Sequence, residues 1–389
     1  MKQVYFPGLN GVRFIAALIV FIYHAGLFRS YLGLPVWQAG LDSVFSGNLG
    51  VTIFFVLSGF LITYLLVQEH RQTGTISIRH FYMRRILRIW PLYFLIIALA
   101  FGVAPYIGAL QLPVYSAGTF TAWVPKLFSF IFLLANVAFV VWPTMPFANV
   151  LWSVAVEEQF YAFWPMVMQR KPGLKLLGGL LLLLVLLKCG SIICAYRVPA
   201  DYKPALLKWV SLLYRTRFSC MVIGGIGALL YARRHRALTW LLTTGAQVAA
   251  LVLFLLLAAA TWWLPAQSYL FWVMDECIAC TIMVLILNIA CNPHTFMRLE
   301  HPWLQYLGKI SYGFYVYHSF AIVWVINLLR HTSLAAGGVV YTLAVYLLSF
   351  GLTVGVSALS YRYFESFFLR RKQKYTSLLT GDAVPAAAP

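Results

Sequence analysis

LNGVRFIAALIVFIYHAGLF, residues 9–28, is a run of twenty residues in which only Arg13 and His24 can carry charge. Its length is that of a membrane-crossing α-helix, which needs about 20 predominantly apolar residues. On such a helix the eleven residues from Arg13 to His24 amount to about three whole turns plus 20°. The two groups therefore share one face, about 17 Å apart along the axis. Ionisable side chains are expensive in hydrocarbon, and where they persist they mark a pathway or a reaction centre.

The rest of the chain has the same character. Of 389 residues, 62% are hydrophobic and 10% charged, and the mean hydropathy is +0.82, far from the composition of a soluble domain. Apolar stretches recur near 9–28, 47–67, 89–108, 126–168 (interrupted), 176–196, 210–231, 237–263, 270–290, 306–329 and 338–360. They predict an all-α fold, a polytopic transmembrane bundle of about ten helices forming one integral domain over residues 1–375. Residues 376–389, rich in Ala and Pro, read as a disordered tail. A β-barrel would show short alternating segments, and open irregular structure cannot cross lipid. The first segment lacks a small-residue cleavage site and carries its charge inside the apolar run, so it reads as a retained helix rather than a secretory signal.

Basic residues set the expected topology. The connections at 68–88 (Arg71, Arg79, Arg84, Arg85, Arg88), 169–175 (Arg170, Lys171, Lys175) and 232–236 (Arg233, Arg234, Arg236) are rich in them. So is the tail, with Arg362, Arg370, Arg371, Lys372 and Lys374. By the positive-inside rule these segments and both termini face the cytoplasm. The loops at 109–125 and 264–269 then lie outside, and 126–168, broken around Pro143 to Asn149, crosses once in net terms with one piece short, tilted or re-entrant. The loop at 197–208 runs against the rule, since Arg197, Lys203 and Lys208 make an outer segment basic. The net charge of +19 is accounted for by orientation and anionic lipid contacts and does not indicate nucleic acid. Cys277 and Cys280 form a Cys-x-x-Cys with no second pair or histidine cluster, which excludes a zinc reading; the six cysteines read as small buried hydrophobes.

Three further segments point to chemistry, and two more read as structural. In Trp152-Ser153-Val154-Ala155-Val156-Glu157-Glu158-Gln159-Phe160-Tyr161 two adjacent carboxylates point about 100° apart, so one faces a shared interior. That carboxylate either neutralises an arginine such as Arg13 or orients and charge-stabilises His24, as carboxylates do in hydrolytic triads. Arg84 and Arg88 share a helix face at the mouth of the third span, either as a phosphate site with Arg85 or as a headgroup anchor. Ser311, Tyr315 and His318, at i, i+4 and i+7, form a polar stripe that is either interhelical glue or the wall of a solvated cavity. Ser58-Gly59 reads as a close-packing site and not as a nucleophile elbow. Asp275 and Glu276 read as acidic residues near a helix N-terminus.

Together these segments resemble the acyltransferase 3 family of polytopic membrane acyltransferases. The matching features are Arg13 and His24, Phe-Phe-x-x-Ser-Gly-Phe at 54–60, Arg-Arg-x-x-Arg-Ile-x-Pro at 84–91, Trp-Ser-x-x-x-Glu-Glu-x-Phe-Tyr at 152–161, Gly-x-x-Ser-Tyr at 308–312 with His318, and Ser-Tyr-Arg-x-x-Glu at 360–365. Val154 departs from the more usual Leu. The resemblance implies acyl transfer, acetyl first, from an acyl-CoA donor to a hydroxyl of a carbohydrate or small molecule, in a bacterial cytoplasmic (inner) membrane. The acceptor classes are surface polysaccharide or its lipid-linked precursor, then a macrolide-like compound. The chain resembles stand-alone members without a fused esterase-like domain, and no permanently bound cofactor or metal is expected.

On this reading Arg84, Arg85 and Arg88 bind the nucleotide end of the donor, and the pantetheine arm passes Arg13 toward His24. His24 acts as general base or as covalent acyl carrier, Glu157 or Glu158 holds its tautomer, and Ser311, Tyr315 and His318 face substrate. The rival class is a proton-coupled transporter using the same His and Glu, against which stands the absence of repeated halves.

Overall fold

The computed structural model describes residues 3–34, 46–113, 122–143, 145–263, 269–330, 332, 338–376 and 379–380. The chain is an all-α bundle, and among the described residues the one extended pairing is the two-residue parallel match of Gln3–Val4 with Leu379–Thr380. The long helices are α1 (Leu9–Tyr31), α2 (Gly47–Thr73), α3 (Ile78–Gly102), α6 (Leu151–Gln169), α7 (Leu174–Arg197), α11 (Thr244–Trp263), α12 (Tyr269–Cys291), α14 (Ser311–Leu329) and α15 (Val339–Ser360). Between them lie α4 (Trp123–Ile131), α5 (Ala135–Val141), α8 (Lys203–Thr216), α9 (Phe218–Ala232), α10 (Leu238–Leu241), α13 (Pro302–Lys309) and α16 (Ser366–Lys372).

Among the described residues eight helices are long and apolar enough to span a membrane, those of the predicted stretches other than 126–168 and 210–231. Those two stretches are also helical but divided. In 126–168, α4 and α5 have nine and seven residues, each too short to cross, and α6 follows the break. In 210–231 the chain breaks at Arg217, whose φ of 37° is left-handed and ends α8 before α9 begins. Most of the expected outer loops, residues 114–121 and 264–268, and nearly all of the predicted disordered tail lie outside the described residues.

Local chemistry sets the helix ends that matter for the site. Ser46 caps α2, its hydroxyl accepting from the Asn48 N–H at 3.3 Å, and Gly74 ends that helix with φ 75°. Three residues later Ser77 caps α3. Glu69 Oε1 also accepts from the Ser77 N–H at 3.1 Å, so the α2–α3 hairpin is tied at its base. That tight turn brings Arg84 beside Glu69.

Packing in lipid gains little from the hydrophobic effect and relies on close van der Waals contact through small residues. The most extensive interface, α2 with α9, shows this. A Cβ on Gly59 would collide with the Met221 carbonyl, and one on Gly224 with that of Val56. A second contact joins α1, α14 and α15 through Phe14, Phe21, Phe314 and Phe350, with Phe21 and Phe314 ring centroids 5.6 Å apart and Phe314 and Phe350 5.7 Å. It holds α1 against α14 in the register that places their histidines together.

Asp275 and Glu276 correct the sequence reading. They lie well inside α12 rather than at its N-terminus, and are buried in ion pairs, Arg217 Nη2 with Asp275 Oδ2 at 3.0 Å and Lys188 Nζ with Glu276 Oε2 at 2.9 Å. They lock α7, α9 and α12 together, because an isolated charge cannot remain in that interior.

Gly59→Leu or Gly224→Leu should therefore force α2 from α9 and destabilise the bundle by about 1–3 kcal/mol, the usual cost of overpacking. Gly178→Leu, at a site on α7 open to the surroundings, should leave stability unchanged. Thermal unfolding of the detergent-solubilised variants measures both.

Candidate active site

One cavity of about 210 Å³ opens at the end of the bundle where α2 ends and α3 begins. Its lining brings together most of the residues singled out in the sequence: Arg13 from α1, Arg84, Arg85 and Arg88 from α3, Glu157 from α6, and Ser311 and Tyr315 from α14. Lys372 and Thr376, from the C-terminal segment, complete its lining.

Each arginine is held differently. Arg84 Nη2 pairs with Glu69 Oε2 at 2.7 Å and its Nη1 donates to the Tyr375 carbonyl at 2.8 Å, tying the C-terminal segment to the hairpin. Arg85 lies over the rings of Phe81 and Tyr161, 5.6 and 5.5 Å from their centroids. Arg13 Nη1 donates to Asn10 Oδ1 at 3.0 Å, and Asn10 in turn donates to Gln305. Arg88 lies within electrostatic reach of Glu365. That carboxylate sits at the end of a π-helical turn, Tyr361–Glu365, formed by the Ser-Tyr-Arg-x-x-Glu segment. With Lys372, the lining holds five basic side chains against the two carboxylates of Glu69 and Glu157. Guanidiniums from one helix facing a shared space match phosphate geometry.

The two adjacent carboxylates part company as helical geometry requires. Glu157 faces the cavity and accepts from the Tyr161 hydroxyl at 2.9 Å, while that hydroxyl also meets Ser58 Oγ. Glu158 is buried behind it and accepts from Trp90 Nε1 at 2.8 Å. Neither is hydrogen-bonded to His24.

The partner of His24 is another histidine. His24 Nδ1 lies 3.0 Å from the Val20 carbonyl oxygen and 3.0 Å from His318 Nε2. A carbonyl can only accept, so Nδ1 carries the ring proton and Nε2 of His24 keeps the lone pair. The helix backbone and a second imidazole thus impose the tautomer that a carboxylate was expected to impose.

His24 is absent from the lining of the cavity, although it shares a face of α1 with Arg13. What intervenes is Tyr315, whose hydroxyl meets Ser153 Oγ at 2.7 Å and donates to the Val150 carbonyl at 3.1 Å. Its ring centroid is 6.0 Å from that of His318. The Ser311–Tyr315–His318 stripe therefore runs from inside the cavity, through the Tyr315–Ser153 contact, to the histidine pair. Sequence reasoning gave Glu69, Lys372 and Glu365 no role in the site; Glu69 had a signal, as a carboxylate at the end of an apolar run just before the arginine cluster.

The family model described as an acyltransferase domain matches residues 6–362. The chain belongs to the acyltransferase 3 family. It is 27% identical over 386 residues to a putative O-acetyltransferase of Staphylococcus aureus (strain COL), covering 94% of this chain and 58% of that protein. It is 28% identical over 333 residues to a putative peptidoglycan O-acetyltransferase, YrhL, of Bacillus subtilis (strain 168), covering 82% of this chain and 49% of the relative. The O-acetyltransferase OatA of S. aureus (strain NCTC 8325 / PS 47) is 26% identical over 373 residues, covering 93% of this chain and 57% of its own. The chain thus spans about half the length of the curated relatives it matches. No solved structure matches it.

The cavity arginines should bind a nucleotide carrying several phosphates. Adenosine 3′,5′-bisphosphate at a hundredfold excess over its Kd should stabilise the protein by about 2.7 kcal/mol. Arg84→Ala with Arg88→Ala should remove most of the gain, read as the ligand-induced shift in Tm.

Proposed function

We propose that this chain is an integral membrane O-acyltransferase that passes an acetyl group from acetyl-CoA to a hydroxyl of a carbohydrate, with His24 as general base. The observation that carries the reading is the continuity of one polar line. Arg84, Arg85 and Arg88 sit at the cavity mouth, Arg13 and Glu157 lie along it, and Tyr315 closes its inner end against the His24–His318 pair. The names of the relatives, O-acetyltransferases with one directed at peptidoglycan, support acetyl as the group and a cell-surface polysaccharide or its lipid-linked precursor as the acceptor.

In this reading the arginine-rich end and both termini face the cytoplasm, in agreement with the basic loops, and the membrane is the bacterial inner membrane. The nucleotide phosphates rest on Arg84 and Arg88, displacing the Glu69 contact. The pantetheine arm runs along Leu9, Arg13 and Phe54 to Tyr315. Opening the Tyr315–Ser153 contact admits the thioester to His24.

The acceptor hydroxyl gives its proton to His24 Nε2 as its oxygen attacks the thioester carbonyl. The C–S bond then breaks and the departing thiolate receives that proton. His318 Nε2, accepting from His24 Nδ1–H, spreads the transient imidazolium charge. The Tyr315 hydroxyl, once released from Val150, supplies a donor to the tetrahedral oxyanion. A positioned imidazole base contributes roughly 10²–10⁴ in rate.

His24→Ala should lower kcat for labelled acetyl transfer by about 10²–10⁴ with normal membrane insertion. Tyr315→Phe should lower kcat with little change in the KM for acetyl-CoA. A His24→Ala protein with wild-type turnover would remove the reading, as would acceptor movement across proteoliposomes without thioester loss, which would favour a transporter.

A further inference from the structure

Arg215 and Arg217 stand two residues apart at the break between α8 and α9, at the opposite end of α2 from Glu69. Arg217 is held by an ion pair and two hydrogen bonds, with Asp275 at 3.0 Å, Thr52 Oγ1 at 2.9 Å and the Asn48 carbonyl at 3.1 Å, although its Nε, like that of Arg215, has no hydrogen-bond partner. Arg215 is not held in this way. Its guanidinium carbon lies 4.1 Å from the Phe139 ring centroid and 5.7 Å from that of Trp152. Its Nε is buried without a hydrogen-bond partner, and no carboxylate pairs with it among the described residues. A guanidinium laid on aromatic faces still presents its edge N–H groups to a planar anion.

The position of this corner gives it meaning. Arg215 is within electrostatic range of Tyr23, whose ring centroid is 5.3 Å from that of His24. Trp152 precedes Ser153, which meets Tyr315. Neither Arg215, Tyr23, Phe139 nor Trp152 lines the donor cavity. The corner therefore approaches the histidine pair from the other side of the Tyr315–Ser153 contact.

We infer that Arg215, with Trp152, Phe139 and Tyr23, is the acceptor subsite, and that it takes an acceptor carrying a carboxylate or phosphate beside a sugar ring. The aromatic faces take the apolar face of the ring, and Arg215 takes the anion. The inference rests on the acyl-transfer reading and adds to it the charge class of the acceptor.

The test uses the full chain in phosphatidylcholine nanodiscs without donor, with binding of methyl β-glucuronide, glucose 1-phosphate and methyl β-glucoside read by thermal shift. At least one charged probe should bind about tenfold more tightly than the neutral one, equivalent to about 1.4 kcal/mol. Arg215→Gln should abolish that preference, and Arg215→Lys should retain part of it. Equal affinities, no binding by any probe, or a preference intact in Arg215→Gln overturns the inference. So does loss of the preference when phosphatidylglycerol is added, which would make a lipid headgroup the occupant. Thioester cleavage of acetyl-CoA by the wild-type protein is measured separately: its absence would sink the transfer reading while leaving the binding result to stand or fall by itself.

Discussion

An ionised side chain inside a membrane bundle must be paired or must face a polar cavity, and this constraint sorts the charged groups of the chain. Lys188 and Arg217 meet Glu276 and Asp275, and those pairs act as cross-links between α7, α9 and α12. The arginines of α1 and α3 instead line a cavity in which basic side chains outnumber carboxylates. The first set holds the bundle together. The second is where the phosphates of the proposed donor would rest, and Glu69 pairs with Arg84 there.

The same economy explains why the histidine pair is separated from the arginines. Tyr315 stands between the cavity and the histidines, its own hydroxyl satisfied on Ser153 and Val150. The contact belongs to two helices, α14 and α6, and its two residues each sit one helical position class away from a catalytic candidate: Ser153 is one turn from Glu157, and Tyr315 nearly one turn from His318. A small relative shift of these helices would change the contact and the candidate residues together.

How much of this was legible in the sequence depends on whether a feature is local. The spans, the shared face of Arg84 and Arg88, the stripe of Ser311, Tyr315 and His318, and the divergence of Glu157 from Glu158 follow from helical periodicity. Tertiary partners do not. Nothing in the residues near position 24 announces that the imidazole there meets His318 rather than a glutamate, because that pairing depends on the aromatic packing of α1 on α14. Arg215 and Arg217 sat within an apolar stretch, 210–231, and drew no attention as charges; their roles diverge only because Asp275 approaches one and Trp152 the other. The break at Arg217 was equally hidden, since a left-handed arginine has no sequence signature comparable to that of glycine.

If donor and acceptor occupy opposite sides of the Tyr315–Ser153 contact, the coenzyme has no need to cross the membrane. On the proposed reading its nucleotide would be held by the arginines at one end, and its phosphates would not enter the apolar layer around Phe54 and Phe55. Only the uncharged acetyl thioester on its slender arm has to reach the histidines. An acceptor held at Arg215 is likewise kept from the donor cavity by its own charge. On those two proposals the chemistry would fall at the level both partners reach, the His24–His318 pair, and the direction of transfer would follow from where each partner's charge rests.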